Sequence, residues 1–83
     1  MKLLYFAWVR EYVGKSEETL VLPENMKTVS DLISFLSARD EGYLEAFKDT
    51  SKIRAALDQT FVPLDHELKG ATEVAFFPPV TGG

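Results

Sequence analysis

Residues 3–9, Leu-Leu-Tyr-Phe-Ala-Trp-Val, form an unbroken apolar run rich in aromatics. Such a run predicts a strand buried on both faces. Alternation then sends Leu3, Tyr5, Ala7 and Val9 one way and Leu4, Phe6 and Trp8 the other. Gly14 reads as a turn residue and Thr19–Pro23 as a second strand, which together make a hairpin. Between Asn25 and Gly42 the period changes. Val29, Leu32, Ile33 and Leu36 recur at i, i+3, i+4 and i+7, the apolar stripe of a helix. Thr28 and Asp31 have capping-box spacing, and Gly42 reads as the stop. Tyr43–Phe47 adds a short helical turn. Ile53–Asp65 predicts two short strands about a turn at Asp58 and Gln59, with Pro63 demoting the residues after it from any central strand because it lacks an amide donor. After a loop holding Gly70, Val74–Phe77 reads as the last strand, with Val74 and Phe76 on one face and Ala75 and Phe77 on the other.

This order predicts an α+β fold: a mixed sheet of about five strands with one main helix packed on one face. One helix covers one face only. The other would expose Phe6, Trp8 and Phe77, a patch large enough to predict a partner surface. Its alternative cover is the 40–56 segment, folded back over it. Residues 1–77 form the domain and 78–83 an extended tail.

Composition narrows the function classes. With 83 residues the chain is one domain, and 46% hydrophobic residues against 27% charged are ample for a core. The absence of cysteine excludes disulfides, thiolate nucleophiles and cysteine metal sites. A net charge of −4 with nine scattered Lys and Arg disfavours nucleic acid as a partner. The apolar start is short and lacks a small-residue cleavage site, and nothing is long enough to span a bilayer. The expectation is a cytoplasmic protein without membrane contact. His66 stands alone beside Asp65 and Glu67, so it reads as a surface residue and no metal site is expected. No catalytic constellation stands out.

The ending is unusual. Pro78 and Pro79 fix their φ angles and aim the chain outward in a stiff segment. Val80, Thr81, Gly82 and Gly83 could then reach roughly 13 Å when extended. Gly82 and Gly83 lack side chains and could thread a passage closed to other residues. A terminal carboxylate on such a tether is a chemical handle, because activation as an acyl-adenylate lets a nucleophile replace its oxygen.

At Val74–Gly83, "VAFFPPVTGG", the chain resembles the sulfur-carrier proteins of the ubiquitin-like β-grasp family, and within it the small subunits of molybdopterin synthase. Residues 3–11, "LLYFAWVRE", and 55–68, "AALDQTFVPLDHEL", are similar to that group as well; the helix and residues 37–54 match in pattern only. The resemblance implies that an adenylating enzyme, using ATP, activates Gly83, and that sulfur then converts it to a thiocarboxylate. The large synthase subunit would accept the tail and pass sulfur to cyclic pyranopterin monophosphate, in a heterotetramer of two small and two large subunits. Catalytic groups would belong to the partners, and no cofactor would be bound here. Gly83 and Gly82 would carry the chemistry, and Phe6, Trp8, Phe77, Pro78, Pro79, Val80 and Thr81 would meet the partner. The alternatives are a carrier for thiamin or tRNA thiolation, a ubiquitin-like modifier, or a non-covalent interaction domain. "KGATEV" lacks the Gly-Asp-Glu frequent in relatives, a change confined to the turn. Relatives often carry a more polar residue at Trp8, which bears on the footprint rather than the tail chemistry.

Overall fold

The computed structural model describes residues 1–79. Five strands form one mixed sheet: β1 (Lys2–Tyr5), β2 (Glu17–Thr19), β3 (Arg54–Leu57), β4 (Thr60–Val62) and β5 (Glu73–Phe77), in the order β2-β1-β5-β3-β4. β1 and β5 run parallel at its centre, and the other pairings are antiparallel. Three helices accompany it: α1 (Ala7–Val13), α2 (Val29–Ser37) and α3 (Glu41–Phe47), with a 3-10 turn at Thr50–Lys52. This is the mixed β-grasp sheet expected from the sequence, with α2 as the longest helix. Two seven-residue helices join α2 where the sequence pointed to a single main one.

All three helices contribute to one core. Leu3, Tyr5, Ala55, Leu57, Val74 and Phe76 on the inner face of the sheet meet Val9 and Val13 of α1, the Val29–Leu36 stripe of α2, and Tyr43, Ala46 and Phe47 of α3. The Phe76 ring stacks against Tyr5 and meets Phe47 edge-on, with centroids 6.3 and 5.0 Å away. α2 starts on the predicted capping box: Thr28 Oγ1 accepts from the Asp31 amide, and the Asp31 carboxylate accepts from the Thr28 amide.

Two boundaries differ from the sequence reading. The first strand stops at Tyr5, since β1 has no ladder partner beyond Phe76, and the chain turns into α1. Val9 and Val13, four apart, then face the core from the helix, and Gly14 at φ 89° is its left-handed C-cap. β2 lies at Glu17–Thr19, ahead of the predicted Thr19–Pro23; Val21 is almost fully exposed. Gly42 also differs. It lies inside α3 rather than ending α2, and a Cβ there would collide with the Tyr12 carbonyl of α1. Glycine is what lets these helices approach.

One polar cluster borders the core. Glu18 of β2, opposite Leu3, accepts hydrogen bonds from the Tyr5 hydroxyl at 2.7 Å, from the Tyr43 hydroxyl and from Arg39 at 3.0 Å. The Arg39 guanidinium also lies 4.7 Å from the centre of the Tyr43 ring. Burial would raise the Glu18 pKa, but hydrogen bonds from Tyr43, Tyr5 and Arg39 outweigh it and bring it from 4.5 to about 2. Burial and the neighbouring Glu18 push both phenols up and keep them protonated.

Two outcomes are expected. Gly42→Ala should destabilise the fold by about 2 kcal/mol through overpacking against rigid backbone, measured by urea unfolding. Because the folded pKa of Glu18 is depressed, its contribution is complete above pH about 4.5 and disappears toward pH about 2. Glu18→Gln should therefore flatten the acid dependence of thermal unfolding in that window, by roughly 3 kcal/mol in total.

Candidate functional site

The face of the sheet opposite the helices is open. Register aligns Glu17, Leu4, Ala75, Ala56 and Phe61 in one row across the five strands. Phe77 and Arg54 form the neighbouring pair. Ala56 and Ala75 are buried as a small-residue floor, whereas Phe61 on edge strand β4 is 74% exposed. The Phe61 and Phe77 rings lie 5.2 Å apart. Beside them is a depression of about 290 Å³, lined by Arg54, Val62 and Pro63 with the two phenylalanines. The Arg54 guanidinium is turned to the carbonyls of Ser51 and Ile53, which holds it at the rim. The 40–56 segment does not cover this face: Tyr43, Ala46, Phe47 and Ile53 pack into the core on the helical side.

The hairpin carrying Phe61 is held to β5 by Asp58. Asp58 and Gln59 occupy the turn with φ of 47° and 71°, the left-handed geometry that hairpins of this length use. The Asp58 carboxylate accepts from the Thr72 amide at 3.0 Å, the Thr72 hydroxyl at 2.9 Å and the Glu73 amide at 3.0 Å. These bonds, that from the Thr72 amide first, lower its pKa.

Of the residues expected to meet a partner, Phe6 and Phe77 belong to this end of the molecule. Phe6 is half-exposed, and its amide donates to the Phe76 carbonyl at 3.1 Å. Ala7 follows at φ 53°, so the chain swings from strand to helix within one residue and leaves the Phe6 side chain outward. Trp8 is a correction. It sits on α1, partly buried against the core and edge-on to Tyr12 at 6.2 Å, and so leaves the open sheet face. Phe61, exposed beside Phe77 on the open face, is the residue that sequence reasoning did not place there. It pairs with Ala56, a position facing away from the helices, and a strand of three residues is too short for the sequence to show that facing.

The chain leaves the centre of the sheet at Phe77, and Pro78 and Pro79 are half-buried at its end. The expected site residues Val80, Thr81, Gly82 and Gly83 lie outside the described residues. Among the described residues there is no group of three His, Cys, Asp or Glu able to hold a metal, and His66 is exposed with Nδ1 at 2.8 Å from the Glu67 carbonyl oxygen. The open face offers apolar contact and shape rather than acid–base chemistry.

Known proteins align with the whole chain. The ThiS family matches residues 3–83. The molybdopterin synthase sulfur carrier subunit of Escherichia coli (strain K12) is 42% identical over 83 residues, covering 100% of this chain and 99% of that protein. The protein of the same name from Haemophilus influenzae is 32% identical with the same coverage. A solved structure from Pyrococcus furiosus, described as molybdopterin converting factor subunit 1, superposes with a TM-score of 0.66 at 30% identity, covering 95% of each chain. SAMP1 from Haloferax volcanii, at 23% identity, shares the fold, with a TM-score of 0.70 over 100% of this chain and 98% of its own.

Ala7 is exposed, so substitutions there report on backbone geometry alone. Ala7→Val should destabilise by about 2 kcal/mol, because a β-branched residue resists positive φ. Ala7→Gly should stay within about 1 kcal/mol of the parent, reversing the usual helix ranking. Chemical denaturation of the pair checks both.

Proposed function

The chain belongs to the ThiS family, and from that membership we propose that it is the sulfur carrier subunit of a molybdopterin synthase, acting in molybdenum cofactor biosynthesis. The observation that carries this is the end-to-end match to the Escherichia coli sulfur carrier subunit, at 42% identity. The open face supports it as well, since a carrier must be recognised by larger partners and has a surface to offer them.

In this reading the Gly83 carboxylate attacks the α-phosphate of ATP on an adenylating enzyme, expelling pyrophosphate and forming an acyl-adenylate. A sulfide-level donor then displaces AMP and leaves a C-terminal thiocarboxylate. On the large synthase subunit, the thiocarboxylate sulfur bonds to a carbon of cyclic pyranopterin monophosphate as the carbon–oxygen bond there breaks, the oxygen leaving on the phosphate or as water. Water then cleaves the acyl–sulfur bond and restores the carboxylate. A dithiolene holds two sulfurs, so two deliveries serve each product, as a heterotetramer with two carriers would allow.

This chain contributes recognition and delivery. Phe61 and Phe77, with Phe6 at the margin, anchor the open face on the large subunit in the manner of aromatic hot spots. Pro78 and Pro79 aim the tail, and Gly82 lets it pass where a side chain would not. Acid–base groups and the pterin pocket belong to the partner. We place these events in the cytoplasm.

Two measurements test the proposal. Incubation with adenylating enzyme, ATP and a sulfide donor should raise the intact mass by the difference between sulfur and oxygen, and deletion of Gly83 should abolish the rise. An unchanged mass, with an enzyme active on another carrier, overturns the reading. Phe61→Asp should weaken calorimetric binding to the large subunit by about tenfold or more while leaving the fold intact.

A further inference from the structure

The depression beside Phe61 and Phe77 is apolar with one exception. Its other lining residues are Ala55, Val62, Pro63 and Arg54, and Arg54 is the one charged side chain among them. The remaining charges at the middle of the open face stand apart from it. Lys2 and Glu73 lie at the other end of the central strands, where Lys2 meets Glu17 at 3.5 Å.

Register places the guanidinium here. Arg54 pairs with Phe77 and leaves β3 on the face away from the helices, as Ala56 does two residues later. Cross-strand partners of this kind have Cβ atoms about 5 Å apart, so the aliphatic stem of Arg54 runs beside Phe77. Phe61 stands in the neighbouring row, its ring 5.2 Å from that of Phe77.

The acids nearest in the chain are committed elsewhere. Asp58 accepts from Thr72 and the Glu73 amide beyond the far end of β3. Asp49 accepts from the amide and hydroxyl of Ser51 and lies 4.0 Å from Lys52. Among the described residues Arg54 makes no ion pair. Its Nη1 donates instead to the Ser51 and Ile53 carbonyls, at 3.1 and 3.0 Å. Nη2 and Nε are left over, and their N–H groups form a fork that matches both oxygens of a carboxylate. The two carbonyls hold the guanidinium in place, so little rotamer freedom is left to lose on binding.

We propose that Arg54 is a specificity-determining contact of the open face, and that its counterpart is a carboxylate side chain of the large synthase subunit. Next to that carboxylate, an apolar side chain of the same subunit fills the depression between Phe61 and Phe77. This rests on the carrier reading and adds to it the chemistry of the partner's surface: an Asp or Glu flanking an aliphatic or aromatic residue. The phenylalanines supply contact area without fixing direction. The ion pair fixes register, because a partner lacking the acid would strip water from the guanidinium and offer no counter-charge.

Calorimetric binding of the full chain to the large subunit, with Arg54→Gln and Arg54→Lys beside the parent, tests this. Glutamine keeps an amide able to donate to the Ser51 and Ile53 carbonyls and removes the charge, whereas lysine keeps the charge and removes the fork. Arg54→Gln should weaken binding by roughly thirtyfold, and Arg54→Lys by less. The gap between parent and Arg54→Gln should narrow as salt rises, because it is a charge effect. Thermal unfolding checks that both variants keep the fold. Parent-like affinity of Arg54→Gln overturns the proposal. So does a loss that is equal in both variants and unchanged by salt, which would make Arg54 a brace of the Thr50–Lys52 turn only. A parent chain that fails to bind overturns the carrier reading and the proposal with it, so the two failures are told apart by the parent alone.

Discussion

β1 and β5 lie side by side at the middle of the sheet, Leu3 beside Val74 and Tyr5 beside Phe76, and all four side chains point into the core. Parallel neighbours cannot be joined by a tight turn, so the intervening chain must cross over the sheet. Here it does so with α1, α2 and α3 on one face, which buries the inner row and leaves the outer face of the sheet without a helix over it. The helices, the β3–β4 hairpin and the point where the chain leaves the sheet at Phe77 all take their places from that pair.

The two faces are finished by different physics. On the inner side, the sheet edge at β2 is fastened by Glu18, whose carboxylate collects two phenols and a guanidinium that reach it from β1, α2's end and α3. A partly buried charge needs such partners, because removing one would leave the others unsatisfied. On the outer side there is no comparable network among the described residues. Alanines form the floor and phenylalanines stand on it, a surface that gains by excluding water against something else.

Sequence alone carries far in some regions and stops short in others. α2 is legible because a capping box and a four-residue apolar stripe agree with each other. The β3–β4 hairpin is legible from Asp58 and Gln59, whose polar side chains tolerate the left-handed turn. The Leu3–Val9 run misleads because aromatic and β-branched residues favour strands locally, while pairing with β5 ends at Tyr5 and the Val9–Val13 spacing suits a helix. Trp8 leaves the open sheet face for that reason alone. Phe61 is hidden for the opposite reason, since a three-residue edge strand gives too short a pattern to show which way it faces. Gly42 needs a tertiary neighbour, the Tyr12 carbonyl, to explain it.

The central pair also sets when the molecule can exist during its own synthesis. β1 occupies Lys2–Tyr5 and β5 Glu73–Phe77, so the core pairing joins segments from opposite ends of the chain. Contacts of such long separation form late, because loop closure must precede any gain from them. A nascent chain still lacking Phe76 has no centre for its sheet and leaves Tyr5 and Phe47 without the aromatic ring that both pack against. The ribosome must therefore release the last strand before the domain can close, and a product truncated ahead of β5 is left for proteolysis rather than competing for the partners of the whole protein.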